Sequence, residues 1–207
     1  EIVFAQNETN PSLKAEEYLS DEVKTTEEAL SGACDIIAEW ISEDETARKR
    51  LRRLFEKEAV IYSKVIKGKD TEGIKYRDYF DWSEPLKKCP SHRLLAMRRG
   101  EEEGFLKLTI EPDENNALEI LTSLFIKGRN ESSDLVENAL KDSWKRLLSS
   151  SMETEFRNIS KQKADEEAIK VFSDNLRQLL LAPHLGEKNV LAIDPGFRTG
   201  CKIVCLD

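Results

Sequence analysis

The 207 residues carry 40 acidic against 32 basic side chains, a formal net charge of -8, which is not the balance of a protein that coats nucleic acid over its whole surface. Charged residues make up 35% and aromatics 7%, a composition that suits long solvated helices better than a β-sandwich. No segment approaches the roughly 20 apolar residues of a membrane span, and the opening Glu1 to Gln6 lacks the basic start of a signal peptide.

Helical signals dominate the first third. Pro11 opens a short helix through Tyr18 and Leu19. Thr25-Thr26-Glu27-Glu28 reads as a capping box, a hydroxyl at the N-cap with a carboxylate three residues on. Behind it Ala29, Leu30, Ala33, Cys34, Ile37, Trp40 and Ile41 recur at helical spacing. Ser42-Glu43-Asp44-Glu45 repeats the device and starts a helix carrying Arg48, Lys49, Arg50, Leu51, Arg52, Arg53, Leu54 and Phe55. Two helices joined by so short a corner must pack or diverge sharply, as in helix-turn-helix-type or solenoid arrangements, and 1–58 reads as a helical, helix-turn-helix-like region.

The pattern changes over 59–113, which reads as a small α+β insert with a two-stranded element. Val60 to Ile66 is β-branched and aromatic, bounded by Gly68 and Gly73, and predicts a strand. Tyr79, Phe80 and Trp82 are placed on a short helix. Pro90-Ser91 reads as the N-cap of a helix through Met97 that ends near Gly100, and Phe105 to Ile110 alternates as the second strand, closed by Pro112. Long helices follow over 114–188. Val136, Leu140, Trp144, Leu147, Leu148, Met152, Phe156 and Ile159 keep one stripe; Ala164, Ala168, Phe172, Leu176, Leu179 and Leu180 keep another, stopped by Pro183 and Gly186.

The last 19 residues, 189–207, are the most telling. An apolar run from Asn189 to Ile193 reads as a buried strand that delivers Asp194 at its tip. Pro195-Gly196 turns the chain, and Cys201 to Leu206 returns beside the first run. A hairpin with an acid at its mouth is the usual opening of an RNase H-like or actin-like domain. So little chain follows Asp194 that the 207 residues are expected to be a piece of a longer protein. The four cysteines, Cys34, Cys89, Cys201 and Cys205, show neither CxxC spacing nor a histidine pair, so reduced thiols in a cytoplasmic protein are expected, with no metal or cofactor.

Three ordered segments resemble one family. Glu27 to Glu39 (EEALSGACDIIAE) is similar to a signature helix of Tex, the bacterial transcription accessory protein family. Tyr79-Phe80-Asp81 with Pro90 to Glu101 (PSHRLLAMRRGE) resembles its second signature. Asn175 to Leu181 followed by Asp194 to Lys202 (DPGFRTGCK) resembles its third. The resemblance implies a multi-helical, mainly α protein that binds nucleic acid in transcription, related to a eukaryotic elongation factor. It further implies that a YqgF-type RNase H-like domain begins at the strand leading into Asp194, with helix-hairpin-helix and S1 domains beyond.

Candidate chemistry is then narrow. Arg48, Lys49, Arg50, Arg52 and Arg53 could track a phosphate backbone, or pair with Glu39, Glu43, Asp44, Glu45 and Glu56. His92, Arg93, Arg98 and Arg99 form a second basic group beside Tyr76, Tyr79, Phe80 and Trp82, which could stack on bases or simply pack the insert. His92 is expected to be a hydrogen-bonded structural residue. Asp194, with Arg198 and Lys202 flanking its turn, marks a vestigial or incomplete RNase H-like site, since one carboxylate cannot hold a two-metal centre. The expected function is a non-catalytic, nucleic-acid-associated scaffold, with RNA or DNA and RNA polymerase as candidate partners. The alternatives are a nuclease active only in a longer chain and a pure protein-docking module.

Overall fold

The computed structural model describes residues 1–7, 10–184, 186–196 and 200–206. The protein is mainly α with a small α+β insert, and divides into two units, residues 1–168 and 169–207. Among the described residues no helix is long and apolar enough to cross a membrane.

Helix α1 (Ile2–Ala5) and helix α2 (Pro11–Ala15) lead in, with Asn10 capping α2. Helix α3 (Thr26–Glu43) starts as the sequence predicts, Thr25 Oγ1 accepting from Glu28 N at 3.2 Å. The returning Glu28 carboxylate accepts from Lys24 N, one residue further out than in the usual box. Helix α4 (Glu45–Glu58) is capped by Asp44, whose carboxylate accepts from Ala47 N at 2.7 Å, and not by Ser42, which lies in the last turn of α3. Asp44 thus ends one helix and begins the next, so the corner between them is a single extended residue.

The insert holds three strands, not two. Strands β1 (Val60–Val65), β2 (Asp81–Pro85) and β3 (Leu106–Glu111) form an antiparallel sheet in the order β2-β1-β3. The aromatic run expected on a helix splits: Tyr76 is buried on a 3-10 segment, Ile74–Tyr79, and Trp82 lies on β2. Asp-Trp-Ser-Glu-Pro hides its strand character because only Trp82 and Glu84 face inward, and Pro85 is tolerated on an edge. Helix α5 (Ser91–Glu102) has no side-chain cap, because its N-cap residue is Pro90, whose side chain offers no acceptor, and the Ser91 hydroxyl donates to the Glu167 carboxylate. It also runs through Gly100, which is buried so that α5 can lie directly on Leu106 of β3.

Helix α6 (Glu114–Phe125) and helix α7 (Glu131–Asp142) follow, and α7 continues without a break into helix α8 (Ser149–Leu181) through a π-helical stretch, Ser143–Leu148. Val136, Leu140, Trp144, Leu148, Met152 and Phe156 are all buried. A repeat of four residues drifts by about 40° per step on a helix of 3.6 residues per turn. The wider turn, with its i→i+5 bonding, takes up that drift in mid-stripe and keeps the row on one core. Ser143 Oγ donates to Ala38 O at 2.7 Å there, tying the wide turn to α3. These residues join Ile37, Ile41, Leu51, Phe55, Ile61, Met97, Ile110 and Leu121 in one hydrophobic core of the first unit.

In the second unit, strands β4 (Val190–Pro195) and β5 (Cys201–Leu206) pair antiparallel, Asp194 opposite Lys202. The strand expected to be buried is exposed: Leu191, Ile193, Ile203, Val204 and Leu206 are all open, because a hairpin has no second layer of its own.

A Cβ added at Gly100 would lie 2.6 Å from Leu106 Cδ1, whereas one at Gly32 in α3 meets nothing within 4 Å. Chemical denaturation should therefore show Gly100→Ala costing about 1–3 kcal/mol. Gly32→Ala should gain roughly 0.5–1 kcal/mol.

Candidate nucleic-acid interface

Helix α4 distributes its cations by what its buried face allows. Ala47, Leu51, Leu54 and Phe55 face the core, and the Phe55 ring stacks on Phe156 of α8 with centroids 5.1 Å apart. Cations flanking that face are drawn into α8. Arg48 donates to Ser151 Oγ at 2.9 Å and to Ser42 O at 3.1 Å, and Arg52 Nε pairs with Glu155 at 2.6 Å. The hydrogen bond to Glu155 raises the Arg52 pKa further above its ordinary value. The partner acid is on α8, a hundred residues away, and is none of the nearby acids named from the sequence.

Lys49, Arg50 and Arg53 are exposed and form no ion pair among the described residues. Lys57, one turn beyond Arg53, is exposed as well and was missed in the sequence because Glu56 and Glu58 flank it. With 3.6 residues per turn the four fall within about 100° of arc and span about 12 Å of the axis. The five-cation cluster is thus resolved into two clips and an open stripe.

The second basic group is not one surface. Arg93 is consumed: its guanidinium lies 4.9 Å from the Trp82 ring centroid and donates to Glu84 at 2.7 Å, while Trp82 Nε1 donates to the other Glu84 oxygen at 3.0 Å. Arg98 pairs with Glu101 at 3.3 Å. Glu101 also accepts from Arg157 and from Leu108 N, so it belongs to the seam between α5, α8 and β3. His92 and Arg99 are exposed on α5. His92, expected to be hydrogen-bonded, makes no such bond among the described residues. Tyr76 and Trp82 serve packing, as the alternative reading had it.

Burial alone would raise the Glu84 pKa, but hydrogen bonds from Arg93, Trp82 and Cys89 outweigh it and hold the carboxyl below its ordinary value. Burial, then Glu84 itself, pushes the Cys89 thiol up to about 12. The cysteines are free, Cys34 and Cys89 half-buried and Cys201 and Cys205 exposed.

At the hairpin, Asp194 and Lys202 are described and Arg198 lies outside the described residues, as does Asp207. Among the described residues no group of three His, Cys, Asp or Glu side chains converges as metal ligands. Among the described residues the hairpin sets one carboxylate, Asp194, opposite a lysine, fewer than the several oxygen ligands that a Mg²⁺ centre takes.

A match to the family described as "Tex central region-like" covers residues 6–172. The chain is 44% identical over 197 residues to protein YdcI of Bacillus subtilis, covering 93% of this chain and 27% of that one. It is 35% identical over 213 residues to the transcriptional accessory protein Tex of Neisseria gonorrhoeae, covering 100% and 28%. To the human S1 RNA-binding domain-containing protein 1 it is 27% identical over 207 residues, covering 91% and 21%. The chain therefore spans little more than a quarter of the length of the bacterial relatives.

Because the Glu84 carboxylate is stabilised in the folded state, its contribution is present above the ordinary carboxylate range, near pH 4.3, and is lost as pH falls through the depressed folded value. Denaturation across pH should show a smaller acid-side loss of stability for Glu84→Gln than for the wild type. The variant should also be less stable at neutral pH, since Arg93 loses its ion-pair partner.

Proposed function

The chain belongs to the Tex family, and we propose that it serves as a non-catalytic, nucleic-acid-associated scaffold within a transcription accessory protein. The observation that carries this reading is the α4 stripe: Lys49, Arg50, Arg53 and Lys57 stay exposed although the chain is acidic overall and Arg48 and Arg52 are pinned to α8. An acidic chain could have neutralised these side chains and does not. They form a narrow row of cations, bordered on one side by Glu45 and Glu56, with the spacing to follow a polyphosphate and displace its counterions. Names of relatives point the same way, one a transcriptional accessory protein and another an S1 RNA-binding domain-containing protein.

Contact through such a row is to the phosphate backbone and carries no base sequence. It positions a nucleic acid on the scaffold and leaves discrimination to other contacts. A hydrolytic role finds less support, since Asp194 stands opposite Lys202 and belongs to no group of three or more potential metal-ligating side chains among the described residues.

The triple variant Lys49→Glu, Arg50→Glu, Arg53→Glu should weaken binding to a short RNA or DNA duplex at least about tenfold, and flatten the salt dependence by about 0.9 per lost contact. Fluorescence anisotropy over a salt series measures both. Arg52→Gln should leave binding unchanged and lower stability by no more than about 1 kcal/mol, the scale of a part-exposed pair. Equal binding by the wild type and the triple variant would overturn the interface. Mg²⁺-dependent cleavage abolished by Asp194→Asn would overturn the non-catalytic role.

A further inference from the structure

The outer face of the three-stranded sheet is open to solvent and is oddly furnished. Residues of even number on β1 point outward, opposite odd-numbered residues of β2 and β3. At its centre stands Tyr62, 37% exposed, between Ser83 on β2 and Thr109 on β3, both too small to cover the ring. One row along, Lys64 and Lys107 lie directly opposite each other across β1 and β3, and both are exposed. Like charges directly opposite on an antiparallel pair repel and destabilise it. Neither forms an ion pair among the described residues. The acids on this face are Asp81, opposite Lys64, and Glu111, opposite Val60.

A fold under no other demand would place a carboxylate or threonine at one of the two lysine positions. Asp81 offsets Lys64 from the β2 side, whereas Lys107 on the edge strand faces only Lys64, and the repulsion that remains is relieved when an anion sits between the two ammonium groups. An exposed aromatic ring one row away offers a flat apolar surface to whatever carries that anion. Phosphate beside a planar base, at the spacing of a single strand, satisfies both features. A duplex does not, because its bases are stacked on each other and unavailable. An acidic peptide would satisfy the lysines and leave the ring without a planar partner.

We propose that the outer face of this sheet is a platform for single-stranded nucleic acid, with one base stacked on Tyr62 and the backbone phosphate held by Lys64 and Lys107. The platform is separate from the α4 stripe and is argued without it. The stripe is blind to strand state; the platform adds a preference for unpaired bases.

The test uses a labelled single-stranded RNA of about eight nucleotides, the duplex of the same sequence and an acidic peptide, each titrated into the 207-residue chain. Tyr62→Val keeps a strand-forming residue and removes the ring, and Tyr62→Phe keeps the ring. Tyr62→Val should weaken single-strand binding about tenfold, the order of one stacked base, with Tyr62→Phe near wild type and duplex binding unchanged. Lys107→Gln should likewise weaken single-strand binding while raising the melting temperature, because the like-charge pair is gone while Lys64 keeps Asp81 opposite it. That opposition of affinity and stability is not produced by a merely structural role. Unchanged single-strand affinity in both variants would overturn the platform. So would peptide binding that depends on the lysines while RNA binding does not. If the platform variants are silent and the α4 triple variant still weakens binding, the stripe stands and the platform falls. The reverse pattern sinks the stripe alone.

Discussion

The stacking of Phe55 on Phe156, flanked by Arg48 on Ser151 and Arg52 on Glu155, sets the rotation of α4 against α8. A helix with so little apolar surface has few other ways to choose a face: Leu51, Leu54, Phe55 and Ala47 are its entire buried complement. Once that face is chosen, the remaining side chains have no freedom of placement, since a turn of helix fixes each one relative to the next. Rotating α4 by one residue would bury Arg52 and expose Leu51. The clips add little energy as part-exposed polar contacts. Their weight is geometric, because they mark which cations belong to the core side and which to the solvent side.

The same economy governs the insert. Strand β3 is an edge, and its outward groups would be open to another strand. Side chains from neighbouring helices close it: Glu101 accepts from Leu108 N, Glu153 accepts from Ile110 N at 3.2 Å, and Arg157 donates to Leu108 O at 2.9 Å. Arg157 and Glu101 also pair with each other, so the blockade is a connected ionic seam and not three separate bonds. The seam directs the sheet's inner face onto the core with α5 and α8, and the outer face with Tyr62, Lys64 and Lys107 is left to solvent. Two surfaces bearing cations unpaired among the described residues, one on a helix and one on a sheet, are left once packing has claimed Arg48, Arg52, Arg93 and Arg157.

Helices were the legible part of the sequence. Their stripes are long, and Thr25 and Pro11 announce their starts by local chemistry alone. The π-helical stretch was not legible, because a four-residue apolar repeat looks like an ordinary helical stripe until its angular drift is counted over five steps. Strand β2 was hidden by its edge position, where one face and one hydrogen-bonding side need no apolar residue. The basic cluster on α4 was visible as a composition, but its division was not. Whether Arg52 or Arg53 meets an acid depends on Glu155, a hundred residues downstream, and no local spacing encodes that distance. Lys57, Lys64 and Lys107 escaped notice for the same reason, each being ordinary in its own neighbourhood and notable only for what lies beside it in space.

The central claim is that the setting of α4 on α8 turns Lys49 and Lys57 outward as part of one phosphate-following row. Amine-reactive labelling of the chain, read residue by residue with mass spectrometry in the presence and absence of a nucleic-acid duplex, addresses it directly. Protection of Lys49 and Lys57 by the duplex, with Lys141 and Lys170 labelled equally in both conditions, is the outcome this account predicts. Equal labelling of all four lysines with and without the duplex would contradict it.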